Sequence, residues 1–166
     1  MSEETDIIRL CAGNEQTVRY LLQTLKTTTS PADEPPSAES VNEILLREDI
    51  YLLIAGTLEE PVGFLLAYRI PRIDRDCKMI CLYELEVHPQ HRRKGFASSL
   101  VREMKKICRE NDIMKMWVST EADNRAAAAL YTAAGFNPNG GATSLEFSWS
   151  KTCEEGEVEE LWVPDF

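Results

Sequence analysis

The chain has 166 residues, 43% of them hydrophobic and 28% charged, with a formal net charge of −10 at pH 7. That length fits one domain able to bury a real core, and the acidic balance argues against a nucleic-acid partner. No apolar run reaches the ~18 residues of a membrane span, and the acidic start MSEETD lacks the apolar stretch of a secretory signal.

In chain order the pattern reads β-α-α-β-β-β-α-β-α-β. Ile7 to Cys11 is a short first strand. Glu15 to Leu25 reads as a helix, with Asn14 as its cap and Val18, Leu21, Leu22 and Leu25 on one face. Thr27 to Ser37 holds three prolines and reads as a loop. Ser40 to Glu48 is a second helix. Tyr51 to Thr57 and Val62 to Ile70 form a hairpin around Glu59-Glu60-Pro61, and Pro71 to Asp76 is a charged loop. Met79 to Val87 is the central strand. Residues 98 to 110 form an amphipathic helix with Leu100, Val101, Met104, Ile107 and Cys108 on its apolar face. Met114 to Thr120 is a strand and Ala126 to Ala134 a short helix. Pro138-Asn139-Gly140-Gly141 reads as a turn before a return strand, Thr143 to Trp149. Residues 1–150 thus form the domain, and 151–166, KTCEEGEVEELWVPDF, an acidic C-terminal tail. The five cysteines are scattered and form no CxxC pair. Neither a metal site nor a disulfide framework is expected, and reduced thiols in a cytoplasm are the simplest reading.

The richest stretch is Leu82 to Ala97, LYELEVHPQHRRKGFA. An apolar strand runs into a basic, glycine-containing turn, and a helix follows at once. A helix N-terminus offers free N–H groups and a positive dipole end, which attract phosphate. Gly95 lacks the Cβ that would hold a ligand away from the backbone, and Arg92, Arg93 and Lys94 add positive charge. The competing reading is a plain surface turn. GxxxxGK[ST] is absent and no GxGxxG follows the strand, which disfavours a P-loop nucleotidase or a Rossmann dehydrogenase.

Arg92-Arg93-Lys94-Gly95-Phe96-Ala97 resembles the (Q/R)xxGx(G/A) turn of the GCN5-related N-acetyltransferases. Asn124, the alanines that follow, and Leu130-Tyr131-Thr132-Ala133-Ala134-Gly135-Phe136 resemble that family's N-x-x-A-x-x-L-Y-x-x-x-G-F stretch. The resemblance runs along most of residues 6 to 149. It implies an α/β (α+β) fold, a mixed and mostly antiparallel sheet flanked by helices, with acetyl-CoA as the cofactor. It implies contacts to acetyl-CoA from Leu85, Val87, Arg92, Arg93, Lys94, Gly95, Phe96, Ala97, Ser98, Asn124 and Tyr131. For Asn124 a helix N-cap is an equally good local reading. A closer resemblance is to the aminoglycoside 3-N-acetyltransferases. Tyr83-Glu84-Leu85-Glu86-Val87 before His91-Arg92-Arg93 is similar to their Tyr-Asp-Leu-Ala-Val before His-Arg-Arg. Here Glu84 replaces the Asp and Glu86 is an additional carboxylate.

The reaction so implied needs few groups. An ammonium must lose its proton before it attacks a thioester, and a carboxylate at the attack site takes that proton. Glu84 and Glu86 alternate onto one strand face and are the candidates, with Glu84 preferred. Tyr131 resembles the family's general acid, and a backbone N–H near Val87 corresponds to its oxyanion donor. Asp33 and Glu34 make an acidic loop able to border the acceptor, as does the nearly neutral loop 72–76. The expected partner is a cationic small-molecule amine, first an aminoglycoside at its 3-amino group, drawn partly by electrostatic steering. The alternatives are a polyamine, a protein amine, or a CoA-binding regulator without turnover. A homodimer is left open.

Overall fold

The computed structural model describes residues 6–25, 35–74, 76–140 and 144–150. Its strands are β1 (Ile7–Arg9), β2 (Ile50–Gly56), β3 (Pro61–Pro71), β4 (Lys78–Val87), β5 (Ile113–Glu121), β6 (Asn137–Gly140) and β7 (Ser144–Ser150). Its helices are α1 (Glu15–Thr24), α2 (Ala38–Leu45), α3 (Phe96–Glu110) and α4 (Arg125–Ala133), with a 3-10 turn at Pro89–His91. The strands form one sheet in the order β1-β2-β3-β4-β5-β7-β6. Every neighbouring pair is antiparallel except β4 with β5. The mixed, mostly antiparallel sheet matches the sequence expectation. The acidic tail, 151–166, lies outside the described residues.

Two apolar clusters hold helices to opposite faces. On one face, Leu100, Val101, Met104 and Cys108 of α3 pack with Leu53, Leu65, Ile80, Leu82 and Met116 of the sheet, all buried. Burying each such aliphatic side chain contributes roughly 1.5–3 kcal/mol, so α3 is anchored by its stripe rather than by its own propensity. On the other face, Leu21 and Leu25 join Leu10, Ile54 and Phe64. Trp149, Phe147 and Tyr131 close the first cluster at the α4 end.

Three local readings differ from the structure. Asn14 sits at the N-cap of α1 but gives it no side-chain bond; its Oδ1 accepts from Cys11 N at 3.0 Å instead. Ser37, read as the end of the loop, caps α2 by accepting from Ser40 N at 3.1 Å. The third is the turn at residues 138–141. Asn137–Gly140 is a short strand paired antiparallel to β7. Its Pro and Gly are tolerated because β6 is the last strand of the sheet order, so one side of its backbone needs no partner.

Candidate active site

The site begins where two strands part. β4 pairs with β5 only from Lys78, opposite Ile113, to Cys81, opposite Trp117. Past that point β5 stays with β7 as far as Glu121, and β4 stays with β3 as far as Val87. A cleft of about 700 Å³ opens beside the unpaired part of β4. His88 N donates to Val62 O on the β3 side at 2.8 Å. Successive strand N–H groups alternate, so the Val87 N–H points the other way, toward the cleft.

The far wall of the cleft is the start of α3. Its cap residue is Gly95, at φ +90°, with no side chain closing the helix end and no acidic residue in the first turn. The N–H groups of Phe96, Ala97 and Ser98 therefore lack a capping side chain. A Cβ built on Gly95 would meet nothing within 4 Å, so it would project into open space at the turn. Arg93, at φ +61°, also takes the left-handed conformation. A left-handed non-glycine residue costs roughly 1–2 kcal/mol, and here it tightens the turn ahead of the helix. Arg92 Nε donates to Val87 O at 3.0 Å, tying the turn back to the end of β4.

Of the residues expected to hold the cofactor, Leu85, Val87, Arg92, Arg93, Gly95, Phe96, Ala97, Ser98, Asn124 and Tyr131 all line this cleft; Lys94 does not. Asn124 also caps α4, its Oδ1 accepting from Ala127 N at 3.1 Å. Its amide NH2 is what remains to meet a ligand. Tyr131 is 5% exposed, stacked at tilted angles against Phe136 and Phe147. Burial pushes its phenol up to about 12, so the hydroxyl keeps its proton at neutral pH. The sequence reading missed His91 and the α4 residues Ala126, Ala127, Ala129 and Leu130, which also line the cleft. The run of alanines carried the signal, since small side chains leave room for a ligand beside a helix.

Glu84 and Glu86 share one face of β4, opposite Leu66 and Phe64 of β3. They open onto different spaces. Glu86 lines the cleft. Glu84 lines a second groove, of about 230 Å³, between α1, α2 and the sheet. The backbone from Glu84 to Glu86 is thus the wall between groove and cleft. The described residues of the loop at 72–76 border neither space. Pro71, from which it starts, lies five residues beyond Leu66, about 17 Å along the strand. An ion pair between Arg72 and Asp74 holds that loop. Asp33 and Glu34 lie outside the described residues.

Residues 18–136 match the family model described as Acetyltransferase (GNAT) family. The chain belongs to this family. It is an N-acetyltransferase, and acetyl-CoA is its donor. No curated protein matches it. Among solved structures, it is similar to an aminoglycoside acetyltransferase from an uncultured soil metagenomic sample, with a TM-score of 0.73 and 20% identity over 99% of this chain and 100% of that one. It is also similar to the PaiA N-acetyltransferase of Thermoplasma acidophilum, solved with coenzyme A, with a TM-score of 0.68 and 16% identity over 89% and 99% of the two chains. A third is the ribosomal-protein-S18-alanine N-acetyltransferase of Escherichia coli, with a TM-score of 0.64 and 16% identity over 88% and 93%. At such identities the likeness is one of fold.

The cleft suits the donor. An uncapped helix end behind a left-handed Gly95 suits a pyrophosphate, and the unpaired edge of β4 suits an extended amide-bearing arm. Among the described residues no helix is long and apolar enough to cross a membrane.

Proposed function

We propose that this N-acetyltransferase acts on the primary amine of a small molecule, with Glu84 as general base and Tyr131 as general acid. The observation that carries the reading is the wall from Glu84 to Glu86, where the donor cleft and a groove containing a carboxylate lie back to back on one strand. Acetyl-CoA, when bound, supplies the acyl group as a thioester. Glu84 holds the incoming ammonium and removes its proton, freeing the lone pair that bonds to the acyl carbon. The Val87 N–H donates to the carbonyl oxygen as negative charge builds there. As the carbon–sulfur bond breaks, Tyr131 gives its proton to the leaving sulfur and regains one from solvent, while Glu84, having passed its first proton to solvent, takes the second proton from the nitrogen. The alpha-helical cradle, with Arg93, Gly95 and Asn124, holds the donor in place. Glu86 lines the donor side of the wall and orients rather than deprotonates.

Two observations favour an aminoglycoside as the acceptor: the similar fold of the soil aminoglycoside acetyltransferase and the net charge of −10, which draws cations. The groove beside Glu84 favours a different small amine, for the reasons given below. Acetyl-CoA consumption against aminoglycosides, polyamines, peptides and simple amines tests the reading. Turnover of at least one small amine above the hydrolysis background is the expected result. Turnover of peptides alone would overturn the small-molecule acceptor, and turnover of nothing would overturn the assigned catalytic pair.

A further inference from the structure

The groove that contains Glu84 is built almost wholly of hydrocarbon. Leu22 of α1, Ile44 and Leu45 of α2, and Leu52 and Leu66 of the sheet form its walls. Ile44 is 45% exposed and Leu22, Leu45, Leu52 and Leu66 are half-buried, so these walls are reached from outside rather than sealed as core. Among the described lining residues, Glu84 is the single charged side chain. Tyr68 lies beside it. The Tyr68 phenol is held above its ordinary range, first by burial and then by the negative charges of Tyr83 and Glu84. Among the described lining residues the groove thus offers one carboxylate, Glu84, the rings of Tyr68 and Phe64, and otherwise aliphatic surface.

We infer that the acceptor is a primary amine bearing a single apolar alkyl or aryl body, its ammonium at Glu84 and its body along Leu22, Ile44, Leu45 and Leu66. The inference rests on the acetyl-transfer reading and names the substrate class of that site. Charge complementarity fixes the orientation. One ammonium meets one carboxylate, with the ring of Tyr68 adding a cation–π contact. Among the described lining residues a second or third ammonium would find no counter-charge and would lose its hydration against leucine and isoleucine. Sugar hydroxyls would lose their hydrogen bonds to water in the same place. An alkyl or phenyl group gains by the same burial.

The experiment is a series of unbranched primary amines from ethylamine to octylamine, with 2-phenylethylamine, spermidine, an aminoglycoside and a short peptide with a free N-terminus. Acetyl transfer and calorimetric binding to the CoA-loaded full chain are both measured. kcat/KM and affinity should rise with chain length by about fourfold per methylene until the groove is full, the fold-change that corresponds to ~0.8 kcal/mol per buried CH2. Ile44→Glu should flatten that series while thermal unfolding stays unchanged. Tight, length-dependent binding without turnover would uphold the groove as an amine site and remove Glu84 and Tyr131 as its catalytic pair. Values that do not vary with chain length, or an aminoglycoside, spermidine or the peptide outperforming hexylamine, would overturn the apolar acceptor while leaving acetyl transfer in place.

Discussion

Leu66 on β3 faces Glu84 on β4, whereas the next residue along, Ala67, faces Leu82. Tyr83 is the extra residue between them, a β-bulge, and is 66% exposed. The consequence is a change of face. Without the bulge, Glu84 would share the parity of Ile80 and Leu82, both buried against α3. With it, Leu85 takes the core face and Glu84 turns to the groove under α1 and α2. Deleting Tyr83 removes the extra residue and makes Glu84 the neighbour of Leu82, still opposite Leu66, so Glu84 should keep its face and turnover should persist, while Tyr83→Ala should cost only the edge-to-face contact with Tyr68, about 1 kcal/mol. Urea unfolding and acetyl-transfer assays on both variants check this. A deletion variant that folds but has lost turnover would show that Glu84 did not keep its face.

Gly95→Val should abolish acetyl-CoA binding with a modest loss of stability. At φ +90° a β-branched residue is strained, by on the order of 1–3 kcal/mol. Its side chain would also project into the cleft at the head of α3. Calorimetric titration with acetyl-CoA measures the first effect and thermal unfolding the second. Affinity within about twofold of the parent would remove the turn from the donor site.

The sequence shows the helix stripes and the strand–turn–helix at Leu82 to Ala97, because those signals are local; the residues proposed to hold the donor follow from the family resemblance and not from local pattern. Leu100, Val101, Met104 and Cys108 are spaced for one helix face, and all four are buried. What was not legible depended on partners distant in the chain. The alternation of Glu84 and Glu86 is legible in the sequence, but only the pairing of β4 with β3 shows the bulge at Tyr83. Pro138 to Gly141 reads as a turn because residues so rich in Pro and Gly have no strand character of their own; pairing with β7 makes Asn137–Gly140 a strand. The groove at Glu84 brings α1, α2, β2, β3 and β4 together, so no single stretch could show its apolar walls. Net charge pointed to a polycation, but it is a property of the whole surface and carries no information about one groove.

Glu84→Gln should lower kcat by roughly 10²-fold or more, the scale expected of a general base. Part of the loss should return at high pH, where the amine deprotonates unaided. Glu86→Gln should cost less, since Glu86 lines the donor cleft rather than the groove. Acetyl-CoA affinity should stay within a few-fold for Glu84→Gln. A larger kcat loss for Glu86→Gln than for Glu84→Gln would exchange the two assignments.

Tyr131 gives a prediction about alkaline pH. Its phenol lies at about 12 in the folded protein against an ordinary 10, through burial. Below pH 10 both folded and unfolded chains hold the proton and stability is unaffected by it. Between pH 10 and 12 the unfolded chain gives up the proton first, so stability falls as pH rises, by an amount on the order of 2–3 kcal/mol at the limit. The Cys108 thiol, raised from 9 to about 12 by the same cause, adds a loss that begins earlier, at pH 9. Urea midpoints from pH 8 to 11.5 should therefore fall in the parent, and Tyr131→Phe should remove the part above pH 10 while keeping the part that starts at pH 9. In the assay, Tyr131→Phe should lower kcat by about 10-fold or more, with acetyl-CoA affinity little changed. The parent should show no loss of rate from Tyr131 ionisation below about pH 11. An unchanged kcat in Tyr131→Phe would leave the ring as packing for Phe136 and Phe147 and assign the proton to another donor.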